Sequence, residues 1–155
     1  MAAPIITIWN TDGQQVASWD CGTVQANNYS AVLSIKIWNN KEGTSDVSDL
    51  QGVSITTLDI DGGSSSDVVS GRWVQVNVPA MDGENVWSSI GGTNVKSLRA
   101  DAMNADSGYI IRGTQNDGTS AATTNYCTVN LKAHVPLNAT PGTKTWKTRI
   151  NGYYV

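Results

Sequence analysis

The chain has 155 residues, a net charge of −3 and only 15% charged side chains, so it is sized for one domain with a core of its own. The acidic balance, with no cluster of Lys or Arg, excludes a surface that neutralises a run of phosphates, and no apolar stretch is long enough for a membrane helix. Asn, Thr, Ser and Gly make up about two-fifths of the residues, a composition suited to turns and pleated surfaces rather than helix interiors.

From the N-terminus, "MAAPIITIWN" lacks the basic opening of a secretory signal, which predicts synthesis in the cytoplasm and, for work outside the cell, exit by another route such as lysis. Ile5–Trp9 and Val16–Trp19 read as strands around the hairpin dipeptide Asp12-Gly13. In "AVLSIKIWNN", Ala31, Leu33, Ile35 and Ile37 share one face, and Ser34, Lys36 and Trp38 the other. A strand over Val53–Ile60 runs into the loop "DGGSSSD". In "RWVQVNVP", Val74, Val76 and Val78 oppose Trp73, Gln75 and Asn77, and Pro79 ends the run.

The stretch 81–107 alternates weakly and reads as an irregular insertion, with at most a turn of helix where Val95, Leu98 and Ala102 recur. Strands resume at Tyr109–Arg112 and, after "QNDGTSAATTN", at "CTVNLKAHV", where Cys127, Val129, Leu131, Ala133 and Val135 alternate with polar residues. The last strand spans Thr143–Gly152, with Trp146 and Ile150 inward and Lys147 and Arg149 outward. Short strands between turns, with no strand–helix rhythm, predict a single all-β antiparallel sandwich over residues 1–155.

"WDCGTVQANNYSAVLSIKIWNN" (19–40) resembles the opening of bacterial Ig-like modules, and "VPLNATPGTKTWKTRING" (135–152), with Pro136, Ala139, Pro141 and Gly142, resembles their closing hairpin. The resemblance implies an Ig-like sandwich. "IWNNKEGTSDVSDLQGVSITTLDIDGG", followed by "RWVQVNVPAMDG" and "IGGT", is similar to small structural proteins of tailed bacteriophages. That resemblance implies a non-enzymatic virion protein decorating a capsid or tail. Its partners would be capsid or tail proteins and further copies of itself, as in a trimer.

Candidate chemistry is sparse. His134 is the single histidine, on a polar strand face, which reads as a surface residue rather than a ligand. Asp59, Asp61 and Asp67 in "DIDGGSSSD" lack the spacing of a calcium loop and read as turn residues. Glu42 and Glu84, the two glutamates, sit in loop contexts and do not read as a glycosidase pair, so no enzyme, cofactor or metal is expected. Two sequons, at Asn28 and Asn138, are discounted as chance matches in an Asn- and Thr-rich chain. Cys21 and Cys127 read as two buried thiols, with an inter-sheet disulfide as the alternative.

The six tryptophans carry the functional expectation, because a core without Phe must bury some of them and the rest are free to bind. Trp38 and Trp73, on the faces opposite the aliphatic residues, are the candidates for exposure. With Met81, Trp87 and Met103 of the insertion they form the expected interface. The alternative is a carbohydrate-binding module that stacks surface glycans on exposed tryptophans.

Overall fold

The computed structural model describes residues 1–155 and is an antiparallel β-sandwich. The strands are β1 (Ile6–Asn10), β2 (Asn28–Tyr29), β3 (Leu33–Asn39), β4 (Leu50–Leu58), β5 (Val74–Asn77), β6 (Ser88–Ile90), β7 (Lys96–Ser97), β8 (Ile110–Ile111), β9 (Tyr126–Val135) and β10 (Lys147–Tyr153). The larger sheet has the order β1-β3-β9-β5-β6, with β2 beside the end of β9. The smaller has the order β10-β4-β7, with β8 beside the start of β4. No helix is long and apolar enough to cross a membrane.

Alternation fixes the layers. The registers Ile8↔Ile37↔Cys127 and Leu33↔Leu131↔Val76 lay aliphatic stripes across the inner face of the larger sheet. Val53 and Ile55 of β4, Ile111 of β8 and the partly buried Ile150 of β10 oppose them. Each fully buried Ile or Val contributes about 1.5–3 kcal/mol against exposure. β3 and β9 follow the sequence pattern to within two residues.

Four expected strands differ. Val53–Ile60 starts three residues earlier and ends two sooner, at Leu50–Leu58. Val16–Trp19 is not a strand: pairing stops at the single bridge Trp9↔Gln15 and one bond from the Val16 N–H to the Ile8 carbonyl. Tyr109–Arg112 shortens to Ile110–Ile111, and the last strand shifts from Thr143–Gly152 to Lys147–Tyr153.

The stretch 81–107 is irregular but belongs to the sandwich. It supplies β6 to one sheet and β7 to the other, and buries Ile90, Leu98 and Ala100. No α-helix forms at Val95–Ala102; a 3-10 turn at Ala105–Ser107 is capped by the Asn104 side chain. Two one-turn helices lie elsewhere, α1 (Asp67–Ser70) and α2 (Pro79–Asp82). Pro79 opens α2 as well as ending the strand, because its fixed φ suits the first helical turn.

One end of the sandwich is tied by a buried amide network. Asn39 Nδ2 donates to the carbonyls of Ser48 and Ile111, and Asn39 Oδ1 accepts from the Ile5 N–H. Asn125 Nδ2 donates to the carbonyls of Asn39, Arg112 and Thr114. Buried amides of this kind replace strand pairing where the chain leaves the sheets.

Candidate interaction site

β10 is the edge of the smaller sheet. Along β4, the Val53 N–H bonds to the Tyr109 carbonyl, and the carbonyls of Val53 and Thr57 accept from Leu98 and Gly92. Those bonds all point away from β10, so alternation turns Ser54, Thr56 and Leu58 towards it. Their partners in register are Asn151, Arg149 and Lys147. The intervening residues, Thr148 and Ile150, therefore aim their N–H and C=O groups off the edge, and no backbone bond in the protein receives them.

Beside this edge the sandwich is open. A groove of about 400 Å³ is lined by Ile8, Val16, Trp19, Leu33 and Trp146. It continues past Trp19 and Trp146 into a second hollow of about 770 Å³ against Trp73, Val135 and Pro141. Trp19 and Trp146 meet edge-on with ring centres 5.8 Å apart. Lys144 stands at the junction, bonded to Asp67 at 2.8 Å. That ammonium holds the Asp67 carboxyl below its ordinary value.

The expected interface does not assemble. Trp38 is 2% exposed: it stays on the outer face, but its ring packs on Tyr126 at 4.6 Å, and the Tyr126 hydroxyl bonds to Ser120 in the loop folded over that end. Trp73 is 8% exposed: it lies just ahead of β5, after the turn at Gly71 and Arg72 that follows α1, where strand alternation does not apply, and its indole joins the core. Both were candidates for exposure, and both are buried. Met81 and Met103 are half-buried against the core, and only Trp87 faces outward from the larger sheet, half-buried.

What the sequence left unseen is a cluster on that outer face. Lys132 Nζ lies 4.3 Å from the centre of the Tyr29 ring and 4.1 Å from the Trp87 ring. The His134 imidazole stacks on Tyr29 at 4.5 Å. Alternation places Lys132 and His134 on one face, but only the pairing of β2 with β9 brings Tyr29 to them.

The remaining candidates are accounted for locally. Asp59 accepts from the N–H groups of Ser65 and Ser66, and Asp61 from that of Gly63, so the loop bonds itself. Its hydrogen bonds, Ser66 foremost, hold the Asp59 carboxyl below its ordinary value. No group of three or more His, Cys, Asp or Glu side chains converges. Both cysteines are free thiols, Cys127 buried and Cys21 half-buried, and burial raises the pKa of each. No family model, curated protein or solved structure matches the chain.

Proposed function

We propose that the protein is a non-enzymatic structural module of a tailed-phage virion, which coats a capsid or tail by adding a partner's strand to β10. The free edge beside an apolar groove carries the protein-contact part of this reading. Thr148 and Ile150 offer unpaired backbone groups, and Trp19 and Trp146 offer adjacent apolar surface. An added strand would bond to the former and lay alternate side chains on the latter. The virion part rests on the resemblance of the central segments to small phage structural proteins.

Lys147 and Arg149 flank the edge on its exposed face and select against basic strands. They leave two partners: an acidic or neutral strand of a capsid or tail protein, or a second copy. Copies joined edge to groove form a cyclic oligomer, such as a trimer, where the rotation from copy to copy closes, and an open filament where it does not.

The test is co-sedimentation of the purified chain with capsids and with tails isolated from the corresponding lysate, alongside measurement of its own oligomeric state. Thr148→Pro removes an outward N–H without touching the bonds to β4, so it should abolish docking while the fold persists. A chain that neither self-associates nor binds either particle overturns the reading, as does a Thr148→Pro variant that docks normally.

A further inference from the structure

Independently of the β10 edge, we infer that the outer face of the larger sheet binds an anionic saccharide at Tyr29, Trp87, Lys132 and His134. Three observations converge there. Tyr29 is 53% exposed and Trp87 half-buried, both on the solvent side of the sheet, where neither is needed to fill the core. One ammonium, that of Lys132, lies over both rings, so the two rings belong to one patch gathered around a single cation. No carboxylate lies within ion-pair distance of Lys132; the protein's four ion pairs are elsewhere.

The chemistry follows from what a lysine does over a ring. The ammonium interacts with the π-face weakly at an exposed site, and its four-carbon stem is flexible. A stronger anionic acceptor would draw Nζ off the rings and expose their faces at the same time. A sugar bearing a carboxylate or sulfate supplies both halves of the exchange: an acid for Lys132, and a face of C–H groups for Tyr29 and Trp87. His134 stacks on Tyr29 and restrains that ring.

Polar contacts are also in place. Gln75 lies opposite Lys132 in the register, with Ser89 opposite Gln75 on β6, so amide and hydroxyl groups continue the face towards the sheet edge. In the neighbouring row of the same face, Ser34 Oγ donates to Asn130 Oδ1 at 2.6 Å and Asn130 Nδ2 to Asn77 Oδ1 at 3.1 Å, a side-chain ladder across three strands. A neutral sugar would have to compete with Lys132 for the rings without offering it a partner. That is the physical ground for choosing the anionic class.

The test titrates the whole protein with oligogalacturonate, which is carboxylated, with a sulfated heparin oligosaccharide, and with a neutral cello-oligosaccharide. Calorimetry is the readout for every arm, at low and high salt. Saturable binding of at least one anionic oligosaccharide, weakened by salt and absent for the neutral one, is expected, and the two anionic arms tell carboxylate from sulfate. Trp87→Ala, Lys132→Gln and the exposed Tyr29→Ser should each weaken binding about tenfold with the melting temperature little changed, the scale for losing one ring or charge contact. The inference is overturned if neither anionic oligosaccharide binds, if the neutral one binds equally well, or if Tyr29→Ser and Lys132→Gln bind as the parent does.

Discussion

Trp19 and Trp146 stand edge to face at the mouth of the sandwich, ring centres 5.8 Å apart, although 127 positions separate them in the chain. Trp19 comes from the coil after β1 and Trp146 from the residue before β10, so the pair joins the two sheets where no backbone bond does. Replacing either by Ala should destabilise the protein by about 2 kcal/mol, from lost burial together with the lost aromatic contact. The double variant should show a coupling of about 1 kcal/mol in denaturant unfolding. Additive effects would mean that the rings merely sit beside each other.

Thr57 should gain from losing its hydroxyl. It is fully buried on the inner face of β4, in line with Val53 and Ile55, and its Oγ1 has no hydrogen-bond partner. Thr57→Val keeps the shape and removes the desolvated group, so unfolding should show stabilisation of about 1 kcal/mol. A loss of stability on that substitution would show that the hydroxyl is paired in solution.

Asn125 presents the opposite case. Its amide serves the carbonyls of Asn39, Arg112 and Thr114, and its Oδ1 accepts from Thr114 Oγ1. Asn125→Leu has a similar volume but leaves those groups unpaired in the interior, so roughly 2–4 kcal/mol of stability should be lost. Amide exchange would show the opening concentrated at the ends of β3 and β8.

Acid should weaken the loops before the core. The carboxyls of Asp59, Asp67 and Asp117 are each held below the ordinary 3.8, by Ser66, Lys144 and the Thr119 N–H respectively. Folded values lower than unfolded ones mean that these groups stabilise the protein fully above pH 3.8. The stabilisation is then lost as pH falls through the lower folded values. Melting temperature should therefore decline below that point, and less steeply in Asp59→Asn and Asp67→Asn, which have no proton to take up.

The strands with the longest alternation were legible as sequence. Ile35, Ile37, Cys127, Val129 and Leu131 repeat at every second position, and the same residues line the inner face of the larger sheet. Lys147 and Arg149 turned outward, and Ile150 inward, as the alternation at the end of the chain implies. Short elements were less legible, because β7 and β8, at two residues each, carry no period to detect.

The tryptophans mark where local pattern stops deciding. Alternation put Trp38 on the outer face correctly, but burial there depended on the loop before Tyr126 folding over it, a contact that only the closed sandwich creates. Trp73 was misread because it precedes β5, next to the turn after α1, and period-2 reasoning holds only within a strand. The sequence by itself determined that the chain is β-rich, which sides of its long strands are apolar, and which residue types are available for chemistry, since these follow from the pleat and from side-chain polarity. Only tertiary structure decided that β10 keeps a free edge and that Tyr29, Lys132 and Trp87 share one patch. Both depend on pairings between distant strands, and a strand's own sequence specifies its faces but not its neighbours.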